Sequence, residues 1–157
     1  MVAQLDSALD NFAEVVQRDI GADIRDVPGA GAAGGLGGGL IAFLNGTLRS
    51  GVDIMLEAVG LEERLEGADL VITGEGQTDF QTVYNKAPIG VARMAKGRGI
   101  PVIAVSGSLG EGYGEVHGAG IDAVSAITSA PMTLEEASSR AYELVAAATE
   151  EAVRFMK

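Results

Sequence analysis

The sequence predicts an α/β protein arranged as a three-layer sandwich around parallel strands, and three observations carry that prediction. Two continuous apolar runs, "ADLVITG" (Ala68–Gly74) and "PVIAVSG" (Pro101–Gly107), each end in glycine, as buried parallel strands do. Helical patterns separate and follow them. The chain closes on a strongly marked helix. Thr133 with Glu136 forms a T-x-x-E capping box, and Leu134, Ala137, Ala141, Leu144, Ala148, Ala152 and Phe155 step by three or four down one face.

Taken in order, Leu5, Leu9, Phe12 and Val16 form a helical stripe and predict an amphipathic helix over about residues 4–19. A glycine-rich stretch follows, then "LIAFLNGTL", a helix ending near Asn45-Gly46. "GVDIMLEAVG" and "LEERLEG" read as two short helices, each closed by glycine. After the Ala68–Gly74 strand comes a helix from about Pro88 to Lys96, and after the Pro101–Gly107 strand a short helix in "EVHGAGI". "AVSAIT" (Ala123–Thr128) is a third strand. The order β-α-β-α-β-α calls for right-handed crossovers. We expect a single α/β domain over 1–157, mainly helical with the glycine-rich loop in 1–66 and alternating in 67–157. Three strands are few for such a sheet, which points to sheet partners elsewhere. No internal repeat is visible.

Composition narrows the function classes. With 157 residues and 47% hydrophobic content the chain can form one core. Aromatics are 4% and Trp is absent, so Val, Ile, Leu and Ala must fill that core. The net charge of −11 and the lack of any Lys/Arg-rich run oppose nucleic-acid binding, which rests on neutralising phosphates. There is no cysteine, hence no disulfide, thiolate nucleophile or Cys-based zinc site. The start lacks the cationic and apolar regions of a signal peptide, and no apolar run approaches the roughly 20 residues of a membrane helix. The expected location is cytoplasmic, with no membrane partner.

Three loops can carry chemistry. "VPGAGAAGGLGGGL" (Val27–Leu40) holds seven glycines, and Gly29-Ala30-Gly31-Ala32-Ala33-Gly34 matches the dinucleotide fingerprint G-x-G-x-x-G. Its context does not fit, because "GADIRDVP" makes a poor buried strand, although Asp53 sits at roughly the right distance. Glycine packing and an anion- or substrate-facing loop both remain open here. "TGEGQTDFQTVYNKAP" (Thr73–Pro88) follows the first strand and gathers Glu75, Asp79, Gln81, Thr82 and Lys86, with Gly74 and Gly76 bracketing Glu75. Two carboxylates at a strand end can hold Mg²⁺, and a lysine there can neutralise a phosphate or a carboxylate. Solvated loop charges are the plain alternative. "SGSLGEGYGE" (Ser106–Glu115) offers small residues and backbone N–H groups that can cradle an anion, or is simply a surface turn. His117, the lone histidine, reads as structural. Ser106 and Ser108 lack the G-x-S-x-G elbow of a hydrolase, and no Walker A loop occurs.

The segments "PGAGAAGGLGGGLIAFL", "GADLVITGEGQTD-QT---KAPIGVA" and "PVIAVSGS", in this order and spacing, resemble the bacterial GarK-like glycerate kinases, which carry out organic-acid phosphorylation. The likeness runs over nearly the whole chain and implies the C-terminal part of a family chain more than twice as long. The family's N-terminal half, with its D-S-F-K-G segment, has no counterpart here. The resemblance also implies a two-domain kinase of which this is an incomplete, flavodoxin-like or Rossmann-like part. It implies ATP and Mg²⁺ as cofactors and D-glycerate as substrate, with 2-phosphoglycerate as product. Asp79 or Glu75 would hold Mg²⁺ or accept the hydroxyl proton, and Lys86 would balance phosphoryl charge or clamp the carboxylate. Thr82 and Gln81 would donate hydrogen bonds. Gly29, Gly31, Gly34, Gly74, Gly76, Ser106 and Ser108 would let anions approach the backbone or bind them. Gln77 stands where the family usually has Arg, and Asn85 where it usually has Gly. The chain alone is expected to be inactive and to self-associate. A non-catalytic binding or assembly module that keeps the fold is the alternative, and a nicotinamide-binding domain is a weaker third.

Overall fold

The computed structural model describes residues 1–84 and 86–154. Asn85, and Phe155 at the end of the terminal helical stripe, lie outside the described residues. The chain forms two compact units, Met1–Arg49 and Ser50–Lys157. The two short helices before the first strand therefore belong to the second unit, not with the glycine-rich part.

In the first unit, α1 (Val2–Ile20) carries the stripe read from the sequence and buries Ala13 and Val16 with Ile24 of the following turn. Gly21, at φ 78°, ends it. The second helix, α2 (Ala32–Leu44), has Ala33, Gly34 and Gly35 at positive φ, so its regular part begins only at Leu36. Asn45 closes it in the left-handed conformation. The later glycines serve close packing. A side chain at Gly38 would meet Ile24 Cδ1 at 2.8 Å, and Gly38 N–H donates to the Ala30 carbonyl at 2.8 Å. Helix and preceding turn can touch only because Cβ is missing.

The second unit opens with α3 (Gly51–Ala58) and α4 (Leu61–Arg64). Then come β1 (Val71–Thr78), α5 (Ala87–Lys96), β2 (Val102–Leu109), a 3-10 turn at Tyr113–His117, β3 (Ala123–Ala126), α6 (Leu134–Ser139) and α7 (Ala141–Arg154). The three strands are parallel in the order β1-β2-β3, with Glu75 opposite Ser106 and Ser106 opposite Ala126. On one face of β2, Val102 and Ala104 pack with Ile89, Ala92 and Ala95 of α5 and with Val116 and Ile121. Ile103 and Val105 alternate to the other face and are also buried, and α7 packs on β2 and β3. Helices thus cover both faces of the sheet, which is the predicted α/β sandwich.

Two elements differ from the sequence expectation. β1 starts at Val71 and runs through "GEGQT" to Thr78, a stretch that reads as loop because of its glycines and polar residues. It is also an edge strand here, so Ile72 is 41% exposed where a buried strand was expected. The last helix is broken at Arg140, whose φ/ψ of −105°/13° is not helical. The capping box forms as predicted, with the Thr133 hydroxyl accepting from Glu136 N–H and Glu136 accepting from Thr133 N–H. Three residues after Glu136, the Ser139 hydroxyl donates to the Glu136 carbonyl that Arg140 N–H also uses. Such local bonds compete with the helical ladder and let it break. Leu134, at the outer end, is exposed, while Leu144 and Ala152 are buried.

Asp122 fastens the lead-in of β3 to the start of β2. Its Oδ2 accepts the Val102 N–H at 2.8 Å and its Oδ1 the Lys96 ammonium at 2.6 Å. These bonds, Lys96 foremost, hold its carboxyl below the ordinary aspartate value. A lowered folded pKa means the contribution is complete above the unfolded value and is lost as pH falls through the folded one. Urea midpoints measured from pH 6 downwards should therefore drop less steeply for Asp122→Asn than for the wild type below about pH 4. Acid limbs of equal slope would contradict this.

Candidate active site

The carboxyl ends of β1 and β2 carry a cluster centred on Glu75, where open parallel sheets place their ligands. Two hydrogen bonds lash the loops together there, Gly110 N–H to the Thr78 carbonyl at 2.7 Å and Phe80 N–H to the Glu111 carbonyl at 2.9 Å. Glu75 Oε1 accepts the hydroxyl of Thr82 at 2.5 Å and lies 3.4 Å from that of Thr78. Thr78 Oγ1 is in turn 2.6 Å from Ser106 Oγ on β2. All three hydroxyl residues are buried, at 0 to 1% exposure.

Donor accounting orders these protons. Asp79 N–H donates to Thr82 Oγ1 at 3.1 Å, so the Thr82 proton goes to Glu75. The arrangement that uses every hydroxyl has Ser106 donating to Thr78 and Thr78 to Glu75. The other oxygen, Oε2, faces the Lys86 ammonium at 3.5 Å, and Asp79 Oδ1 faces the same ammonium at 3.9 Å. Asp79 is held by Gln81 N–H, which donates to its Oδ1 at 2.8 Å. Lys86 is the N-cap residue of α5, in extended conformation two residues before Pro88. Proline in the first turn fixes where the helix starts and hence where Lys86 departs from it.

The structure thus brings Glu75, Asp79, Thr82 and Lys86 together, with Gln81 contributing its backbone. Ser106 joins them from beneath, fully buried against Thr78 rather than facing solvent. Ser108 is exposed and pairs in register with Gln77. Gly74 and Gly76 lie within β1 on either side of Glu75. Ser108, Gly76 and Gly107 line a cavity of about 470 Å³ together with Ile127, Met132 and Leu134. Gly29, Gly31 and Gly34 belong to the first unit and are exposed. Gly31 and Gly34 line a groove of about 730 Å³ with Leu5, Leu9 and Phe12, none of them charged. No strand precedes the fingerprint in that unit, so the dinucleotide geometry is not built among the described residues. His117 is structural as expected, its Nδ1 2.8 Å from the Ile121 carbonyl. Sequence reasoning missed Thr78, whose partner on β2 is 28 residues away. Its place three residues after Glu75 in "GEGQTD" was the available signal.

Two carboxylates around one ammonium leave a hard-oxygen donor set with one net negative charge, which fits Mg²⁺. Among the described residues no group of three or more His, Asp or Glu side chains could hold a metal ion. A cation here would complete its shell with water and ligand oxygens, as Mg²⁺ commonly does.

Fold and site together define a parallel α/β protein with an acid–lysine cluster at the carboxyl ends of its strands. The profile of the glycerate kinase family matches residues 1–157, and the chain belongs to that family. It is 50% identical over 143 residues to a glycerate kinase of Bacillus cereus, covering 91% of this chain and 38% of that protein. It is 46% identical over 149 residues to the glycerate 2-kinase of Escherichia coli K12, covering 95% and 39%. The crystal structure of a glycerate kinase 2 from Salmonella typhimurium LT2 superposes with a TM-score of 0.66 at 43% identity, covering 94% of this chain and 39% of that one. The chain therefore spans about two fifths of the length of these relatives. No helix of the described residues is long and apolar enough to cross a membrane.

Proposed function

We propose that this chain supplies part of the active site of a glycerate kinase, which transfers the γ-phosphoryl group of ATP to D-glycerate and yields 2-phosphoglycerate. The observation that carries this reading is the Lys86 ammonium held between Glu75 and Asp79 at a strand end. Phosphoryl transfer asks a protein for positioning and charge neutralisation rather than for covalent chemistry. Lys86 is 39% exposed and its ion pairs are long. Pairs of this kind contribute about 1 kcal/mol or less, so the ammonium turns towards a phosphoryl oxygen or the glycerate carboxylate at little cost.

A carboxylate of the cluster accepts the proton as the glycerate hydroxyl oxygen bonds to the γ-phosphorus and ADP departs. Asp79 or Glu75 would hold Mg²⁺, which supplies neutralisation of phosphate charge when bound, and the other carboxylate would take the proton. Gly76, where a Cβ would meet nothing within 4 Å, leaves the backbone of β1 open beside Glu75, and the exposed Ser108 and Gln81 would donate to a bound anion. Exposed Ile72 and Phe80 support self-association of the isolated chain.

The test is a chimera in which this segment replaces the matching stretch of the Escherichia coli glycerate 2-kinase. Glycerate-dependent ADP release, with the product identified by ³¹P NMR, is the expected result. A folded chimera without turnover would overturn the catalytic reading. Retained binding of ATP-Mg²⁺ or glycerate to the 157-residue chain would then favour the non-catalytic module.

A further inference from the structure

We infer that Thr78 and Ser106 are positioning residues that act through Glu75 to aim Lys86. The inference rests on the glycerate kinase reading and concerns residues that do not themselves reach the substrate. Thr78 and Ser106 are 1% and 0% exposed, and their hydroxyl oxygens are 2.6 Å apart. Ser106 therefore serves the site from beneath rather than as a phosphate contact.

The division of labour at Glu75 follows from which oxygen each group takes. Oε1 is taken from inside the protein by Thr82 and Thr78, at 2.5 and 3.4 Å. Oε2 is left to face Lys86, at 3.5 Å. A carboxylate pinned at one oxygen cannot rotate freely, so its second oxygen marks a fixed point for the ammonium. Strand register makes the pin rigid. Glu75 and Ser106 are paired across β1 and β2, and Gly110 N–H holds the Thr78 carbonyl at 2.7 Å. Such a support, with Asp79 on the other side, gives a flexible lysine a defined place from which it turns to the substrate, and small misplacements of a reacting group carry large rate costs.

In the chimera, Thr78→Val should lower kcat about 10–100-fold with KM for ATP and glycerate nearly unchanged. Thr78→Ser, which keeps the hydroxyl, should restore most of the rate. Thr78→Val combined with Ser106→Ala separates positioning from mere stability. Removing both buried partners can leave stability nearly unchanged where removing one leaves an unsatisfied group. The double variant should therefore regain thermal stability and remain slow. Recovery of kcat with stability would overturn the inference, and so would a Thr78→Ser variant as slow as Thr78→Val. A second readout needs no turnover. On the 157-residue chain, NOEs between the Lys86 and Glu75 side chains should weaken in Thr78→Val and persist in Thr78→Ser. Unchanged NOEs in Thr78→Val would overturn the inference even if the chimera showed no glycerate kinase activity, whereas inactivity alone counts only against the proposed function.

Discussion

Lys86→Ala in the chimera lowers glycerate-dependent ADP release by about 10²–10³-fold, the scale found when one preorganised charge-stabilising donor is removed. The reason is the electrostatic composition of the cluster. Glu75 and Asp79 each bring a carboxylate, Gln77 is neutral, and among the described residues Lys86 is the cation within 4 Å of both carboxylates. Without it, a phosphoryl group carrying its own negative charge meets two carboxylates. Folding is expected to change little, by about 1 kcal/mol or less, because the ammonium is part-exposed and its pairs are long. Lys86→Arg does not rescue fully, since a planar guanidinium fork cannot occupy the place of a compact ammonium. Asp79→Ala should also lose most of its rate. Wild-type rates in folded Lys86→Ala and Asp79→Ala would remove the cluster from the mechanism.

Gly74→Ala destabilises the second unit by about 2–3 kcal/mol, read as a lowered urea midpoint of the 157-residue chain. A Cβ at this position would run into the carbonyl oxygen of Val105, its register partner on β2. Backbone cannot step aside as a side-chain tip can, so the two strands would have to part where they carry Glu75 and Ser106. Gly76→Ala is the matched control two residues on. Its Cβ would meet nothing within 4 Å, and its φ is not in the left-handed region. A change within about 0.5 kcal/mol is expected there. Equal destabilisation by both substitutions would show that the close approach at Gly74 is not what demands glycine.

The same glycines explain where the sequence was readable and where it was not. α1, α5 and β2 follow from apolar periodicity or an unbroken apolar run, because their burial is written in side-chain type. β1 was only half legible. Its second half, "EGQT", has the composition of a loop, and it is a strand because β2 supplies a register that tolerates glycine against backbone. The capping box announced the start of α6, whereas the break at Arg140 depended on how one serine hydroxyl chose its partner. At the site, Glu75, Asp79, Thr82 and Lys86 share one short segment and could be singled out together. Thr78 and Ser106 could not be paired, since hydroxyls 28 residues apart carry no mutual signal until two strands align.

The sequence by itself determined the α/β class, the acidic character, the family motifs and the residues of the strand-end loop. Those are properties of residue type and local spacing, which the chain carries before it folds. Tertiary structure alone decided which oxygen of Glu75 is taken by buried hydroxyls and which is left for Lys86. That choice depends on two strands in register and on burial that removes water as a competing partner, and neither exists in the chain before it folds.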